Sequence, residues 1–265
     1  MKKQPIIATG KIKLARFDPA YRGRLPKKRA KHKTGDLCRR IGDLQELLYA
    51  NSRHAILLLF QGMDASGKDG AIRTVLHHVN PAGVETTSFK VPSAEENAHD
   101  FLWRVHKAVP RRGNFGIFNR SHYEAVLVER VQGGLSPREV KQRFRQIIDF
   151  ERMLVENRVI LLKFYLHLGR AEQAKRLRER LTNPRKNWKF SATDLVARKQ
   201  WSAYQNAYED MLTATSHRAA RWHIVPANRN WVRNYVVAEA VDRALRALRL
   251  KWPKPAKDLS RVRVK

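Results

Sequence analysis

The chain has 265 residues, with 54 Lys+Arg against 24 Asp+Glu and a formal net charge of +30. Its hydrophobic content of 43% and charged content of 29% are those of a globular protein with a full core, which excludes general disorder. The longest apolar run, from Ala55 to Phe60, is far short of the ~20 residues of a membrane span.

Elements follow in chain order. Residues 1–35 read as an irregular basic arm, broken by Pro5, Pro19, Gly23, Pro26 and Gly35. Asp36 caps a predicted helix to about Ala50. Ala55–Gln61 is a buried strand, apolar almost throughout as parallel sheets require. A glycine-punctuated turn, 62–70, leads into a helix from Lys68 to about Val79. A β-rich run covers 84–91, and Ser93 with Glu96 has capping-box spacing for a helix over 94–108. A short strand at 115–118 comes next. Ser136-Pro137-Arg138-Glu139 is a strong helix start, and that helix runs to about Glu156. A strand at 159–166, helices at 170–182 and 192–213, a strand at 222–226 and a helix at 231–248 complete the chain. Alternating strands and helices predict an α/β fold, a three-layer α/β/α arrangement around a parallel sheet of about five strands.

The N-terminus carries no apolar signal core. A single Cys38 excludes an internal disulfide and a cysteine-built metal site, and fits a reducing, cytoplasmic compartment. The ten histidines show no metal-ligand spacing. Trp201, Tyr204 and Tyr208 at helical spacing read as core rather than a base-stacking platform.

The positive charge is concentrated. Residues 1–50 hold 14 basic and 4 acidic residues, 167–199 hold 10 and 3, and 215–265 hold 13 and 3. Such segments are solvated faces, nucleic-acid contacts, or the walls of one anion-binding groove.

Gly62-Met63-Asp64-Ala65-Ser66-Gly67-Lys68 fits the phosphate-loop pattern G-x-x-x-x-G-K, after a buried strand and before a helix. The turn of such a loop aims successive N–H groups at phosphate oxygens, and the lysine adds a full positive charge. The residue after Lys68 is Asp69, not the Ser or Thr whose hydroxyl usually binds Mg²⁺. Asp64 is then the candidate carboxylate for phosphates and Mg²⁺, or a charge that only complements the helix dipole. Beyond the next strand, Asn119, Arg120 and Glu124 stand where open α/β sheets bind ligands, or form a polar strand-exit turn. Arg176 and Arg180 share a face of a basic helix, followed by Lys186 and Lys189 around Trp188. That helix either closes over phosphates or is a solvated basic face.

These motifs resemble the family 2 polyphosphate kinases, the polyphosphate-dependent nucleotide phosphotransferases. The resemblance covers roughly residues 30–250. Its carriers are the stretch from Gly62 through Lys68, Asp69 and Gly70, then Asn80-Pro81-Ala82-Gly83 and Ser88-Phe89-Lys90-Val91-Pro92-Ser93. Phe101-Leu102-Trp103-Arg104, Phe118 through Glu124, and Asn183-Pro184 to Trp188-Lys189-Phe190-Ser191 complete the set. The resemblance implies a P-loop kinase-like core over 36–265 with a helical lid at about 168–192. It implies phosphoryl transfer between polyphosphate and a nucleotide, with Mg²⁺. Asp64, with Asn119, would position metal and nucleotide phosphates. Lys68 and Arg120 would stabilise the transferred group, Arg176 and Arg180 match lid arginines, and Lys90 and Arg130 match further basic positions. Gly62, Ala65, Ser66, Gly67, Asp69, Gly70, Glu124 and Lys189 complete the expected phosphate and nucleotide contacts. Asn119 stands where other members carry Asp. With Glu124, it looks like the subgroup accepting both nucleoside mono- and diphosphates, so AMP, ADP, GMP and GDP are expected partners. A homo-oligomer is implied too.

Polyphosphate carries about one negative charge per phosphate, so it needs an extended basic track. Lys27, Lys28 and Lys31 in the arm are candidates for its walls. An ATP-dependent P-loop kinase shares the loop but does not explain the charge. A nucleic-acid-binding protein explains the charge but not the ordered motifs.

Overall fold

The computed structural model of the chain describes residues 6–23, 25–255 and 263. The outermost residues of both basic ends lie outside the described residues. Five strands form one sheet: β1 (Ala55–Gln61), β2 (Val84–Ser88), β3 (Phe115–Asn119), β4 (Val159–His167) and β5 (Trp222–Pro226). The order is β2-β3-β1-β4-β5, and every pairing is parallel. In chain order the helices are α1 (Lys27–Asn51), α2 (Lys68–Val75), α3 (Ala94–Ala98), α4 (Trp103–Lys107) and α5 (Glu124–Val131). They continue as α6 (Pro137–Glu156), α7 (Arg170–Thr182), α8 (Ala192–Lys199), α9 (Trp201–Thr215) and α10 (Asn230–Ala247).

All seven residues of β1 are buried, because helices cover both faces of the sheet. Ile56, Leu58 and Phe60 pack with Ile41, Leu48, Val75 and Val241 of α1, α2 and α10. Leu57 and Leu59 pack with Phe144, Ile147, Met211 and Leu212 of α6 and α9. The predicted three-layer α/β/α architecture with a parallel sheet is therefore present. No helix among the described residues is long and apolar enough to cross a membrane.

Several boundaries differ from expectation. The first helix begins at Lys27, not Asp36, so the irregular segment ends at Pro26. Ala30, Thr34, Cys38, Ile41, Gln45 and Leu48 form one buried stripe, and tertiary packing carries the helix through Gly35. Lys27, Lys28 and Lys31 consequently sit exposed on its first turns rather than in an irregular arm. The residues before it are not loose either. Ala8 N–H donates to Trp222 O at 2.8 Å, and Ala8, Ile12 and Leu14 are buried.

The helix expected over 94–108 is two helices. Asp100 accepts from the Leu102 N–H at 2.9 Å, a local turn that ends α3 and starts α4. The helix expected over 192–213 breaks at Gln200, which has a non-helical ψ of 22°. Helix α5 starts directly after the β3 exit turn, where no helix is expected from the sequence. Both predicted capping boxes, Ser93–Glu96 and Ser136–Glu139, are formed.

Beneath the β3 exit lies a buried ionic network. Lys163 Nζ of β4 lies 2.6 Å from Glu151 Oε2 of α6, both fully buried. Tyr123 O–H donates to Glu151 Oε1 at 2.8 Å, and the His217 ring lies 2.9 Å from Oε2. Burial opposes the Glu151 charge, but Lys163, His122 and His217 outweigh it and hold the carboxyl below its usual range.

His223 on β5 gives a pH signature. Burial, with a smaller push from Arg243, lowers its pKa from 6.5 to about 4 against a weak hydrogen bond to Lys163 O. Between those values the unfolded chain takes a proton that the fold resists. Stability is therefore lost as pH falls from 6.5 toward 4, by about 2–3 kcal/mol from this group. His122 and His167 are lowered too, each chiefly by burial, and act in the same direction. Melting curves of His223→Phe should show a shallower acid slope over that window than the wild type. An unchanged slope would contradict it.

Candidate active site

The carboxyl ends of the strands open into one large cleft of roughly 1670 Å³. That exceeds the ~300–1,000 Å³ of a pocket for one small molecule and leaves room for two substrates meeting end to end. The loop between β1 and α2 forms its floor. Gly62 (φ 145°) and Gly67 (φ 93°) take left-handed backbone angles. A Cβ on Gly62 would lie 2.8 Å from Leu166 O, and one on Gly67 would collide with the Arg233 guanidinium. Ala65 is also left-handed, at φ 63°. Lys68 is buried and donates to Gly62 O at 2.9 Å. Burial pushes its pKa down, Asp64 opposes that, and Arg120 adds to it. The Ser66 hydroxyl oxygen is buried without a hydrogen-bond partner.

Arg120 follows β3 in a left-handed conformation, φ 66°. It lies 2.6 Å from Asp64 and 3.1 Å from Glu124. Burial disfavours its charge, but Glu124 and Asp64 outweigh that and keep it protonated. Asn119 Nδ2 donates to Asp69 Oδ1 at 2.9 Å, and Lys189 lies 3.6 Å from the other Asp69 oxygen. Burial would raise Asp69, yet Asn119, Lys189 and Lys68 hold it below the ordinary carboxylate range. Asn119, Arg120 and Glu124 therefore face the loop across the cleft.

Helix α7 closes the other wall. Arg176 donates to the carbonyls of Ala65 (3.0 Å) and Ala227 (2.7 Å), tying the loop to the β5 exit. Arg180 pairs with Asp194 at 2.7 Å and donates to Lys189 O at 3.0 Å. Asp64, Ala65, Gly67, Lys68, Asp69, Gly70, Lys90, Asn119, Arg120, Glu124, Arg176, Arg180 and Lys189 all line the one cleft. Gly62 and Ser66 lie behind that surface, within the loop. Arg130 does not reach it; on α5 it pairs with Asp210 at 2.7 Å. Lys27, Lys28 and Lys31 do not line it either.

Three residues escape the sequence reading. Gln173 Nε2 donates to Asp64 O at 3.1 Å. Asp194 on α8 is buried beside Asp64; burial first, and then the Asp64 charge, push its pKa up against Arg180. Arg233 on α10 packs against Gly67 and Gly70. None lies in a phosphate-binding pattern, and only folding brings them to the loop. Tyr208 is core, as expected, and Tyr204 packs on that core while lining the cleft.

A model of the family described as polyphosphate kinase 2 matches residues 24–251. The chain belongs to the polyphosphate kinase 2 family. The resemblance drawn from its motifs is thereby borne out. It is 48% identical, over 96% of either chain, to a Meiothermus ruber protein named AMP/ADP-polyphosphate phosphotransferase. It is 44% identical to a Rhodopseudomonas palustris protein named ADP-polyphosphate phosphotransferase, over 81% of this chain and 78% of that one. The crystal structure of polyphosphate kinase 2 from Arthrobacter aurescens TC1 superposes with a TM-score of 0.92 and 39% identity, over 96% of this chain and 92% of that one. The P-loop kinase-like fold follows.

The donor set suits a hard cation shared with substrate. Among the described residues no group of three or more His, Cys, Asp or Glu could hold a metal ion. Asp64 supplies carboxylate oxygens to the cleft beside the loop, and Asp194 is buried behind it. One or two carboxylates completed by phosphates and water is the way Mg²⁺ is held, not the way a caged transition metal is.

Proposed function

We propose that this chain transfers the terminal phosphoryl group between inorganic polyphosphate and a nucleotide by direct in-line displacement. AMP and ADP are the proposed acceptors, with GMP and GDP as further ones. The observation that carries this reading is the Lys68 loop lining a cleft with volume for both substrates, in a member of the polyphosphate kinase 2 family. The charge of +30 supports a polyanionic substrate over ATP alone.

An oxygen of the nucleotide's terminal phosphate attacks the end phosphorus of polyphosphate. The P–O bond to the next phosphate breaks, and the chain, one unit shorter, leaves with the electron pair. The transition state is loose, so the work is positioning and charge neutralisation. Lys68 and Arg120 neutralise the transferred group. Asp64 and Glu124 hold the Arg120 fork in place, and Asn119 orients Asp69. Arg176 and Arg180 belong to a lid over about 168–192, which keeps water from the phosphoryl group. Mg²⁺ is the proposed cofactor; Asp64 would hold it, and bound there it would offset phosphate charge. No protein nucleophile is used; His122 is buried against Glu151 and Tyr123. A homo-oligomer in a cytoplasmic compartment completes the proposal, with no membrane and no specific nucleic acid.

The test is incubation with Mg²⁺, long-chain polyphosphate, and AMP or ADP separately, with nucleotides followed by chromatography. ADP and ATP should form from AMP, and ATP from ADP. ATP from ADP alone would keep the reaction and remove monophosphates as acceptors. No product from either, with ATP-dependent transfer intact, would replace this reading by an ATP-dependent kinase.

A further inference from the structure

Among the described residues Arg233 has no counter-charge. It is 3% exposed, and its hydrogen bonds run only to the neutral side chains of Asn230 (3.0 Å) and Asn234 (2.8 and 3.0 Å). A guanidinium has five N–H donors, so these three bonds leave two of them unused. The charge that acts on it is another cation, Arg176. Burial first, then that cation, push the Arg233 pKa from 12.5 down to about 10. An unpaired buried charge is costly. The fold avoids that cost elsewhere, since buried Lys163 meets Glu151 at 2.6 Å. No described residue supplies the balancing anion at Arg233, which points to one from outside the chain. The guanidinium lies against Gly67 and Gly70 and lines the cleft, so that anion sits beside the phosphate loop.

Its position says which anion. The β2 side of the loop carries Phe101, Leu102 and Val105, apolar surface suited to a nucleoside. Arg233 lies on the other side, toward β5. Helices α1 and α10 run in the same direction there. Arg40 pairs with Asp242, and Asn51 Nδ2 donates to Lys251 O. Counting the same number of residues back along each helix puts Lys27, Lys28 and Lys31 level with the turn that carries Arg233.

We propose that Arg233 recognises the polyphosphate substrate. It holds phosphates behind the transferred one, where the chain leaves the loop past the start of α10 toward Lys27, Lys28 and Lys31. The assignment rests on the polyphosphate reading above and adds a residue and a direction to it.

Arg233→Gln and Arg233→Lys test it. Loss of charge-assisted hydrogen bonds to phosphate should raise the KM for long-chain polyphosphate about tenfold or more in Arg233→Gln. The KM for nucleotide should stay within about twofold, and Arg233→Lys should fall between. A structural arginine would not split the two constants in this way. A second readout needs no turnover. Long-chain polyphosphate should raise the melting temperature of the wild type more than that of Arg233→Gln. Without ligand, Arg233→Met should melt no lower than the wild type, because an unpaired charge is removed. An unchanged polyphosphate KM with an unchanged thermal shift would overturn the assignment, as would a rise confined to the nucleotide KM. A wild type that makes no product from polyphosphate would sink the functional reading itself. The thermal shift would then still decide whether Arg233 binds the chain.

Discussion

Lys68→Met should lower kcat by about a thousandfold, equivalent to ~4 kcal/mol of transition-state stabilisation. Methionine keeps most of the apolar stem and removes the ammonium, with its charge and its N–H donors. The structure explains why the effect should be large. The ammonium is buried, it is docked on Gly62 O at 2.9 Å, and burial already disfavours its charge. A phosphate that draws it off Gly62 gains a charge partner in a site of low dielectric, where such contacts are strongest. Asp64→Asn should cost turnover as well, because it also releases the Arg120 fork held at 2.6 Å. Single-turnover measurements at saturating nucleotide and polyphosphate separate this from lost binding. A Lys68→Met enzyme with near wild-type kcat would refute the role of Lys68.

Glu151→Ala should destabilise the fold by about 3–5 kcal/mol, a fall of roughly 10 °C in melting temperature for a chain of this size. The substitution strands the Lys163 ammonium, which keeps only Thr215 O at 2.8 Å and the Tyr123 hydroxyl at 3.2 Å. It also removes the acceptor of the Tyr123 hydroxyl. His122 and Tyr123 stand two and three residues after Arg120, so the exit turn of β3 should loosen and activity should fall with stability. Replacing both partners, as Glu151→Leu with Lys163→Met, should recover much of the loss, since an apolar pair is close to neutral where a broken ion pair is not. A double-mutant cycle measured by denaturant unfolding reads the coupling. If Glu151→Ala alone melts with the wild type, the pair does not stabilise the fold.

The two predictions rest on information of different kinds. Lys68 was legible from spacing, because a phosphate loop is a local device. Its glycines, its lysine and the strand and helix around it are contiguous, and the angles at Gly62 and Gly67 suit their residue type. Four of the five strands were legible for a similar reason, and the edge strand β2 (Val84–Ser88) from its β-branched residues. A strand covered on both faces must be apolar along its length, as Ala55–Gln61 is. Glu151, Lys163 and His217 carry no such mark. They are ordinary polar residues on three separate elements, and only the sheet order brings them together.

Helix ends followed the same division. Ser93 and Ser136 announced their caps through local hydrogen bonds. The start at Lys27 did not, because packing against α10 extends that helix through Gly35, where local propensity alone would stop it. Local rules also missed the break at Asp100.

The sequence by itself determined the sheet class, the phosphate loop, the family, and thirteen of the residues that line the cleft, since each is written in a short stretch of chain. Only the tertiary structure decided that Asp194 and Gln173 meet Asp64, that Arg130 turns away to Asp210, and that Arg233 stands buried and uncompensated beside Gly67. The physical reason is distance along the chain. Electrostatic and packing partners far apart in sequence leave no periodicity or spacing to read, and their meeting is set by how the layers stack around the sheet.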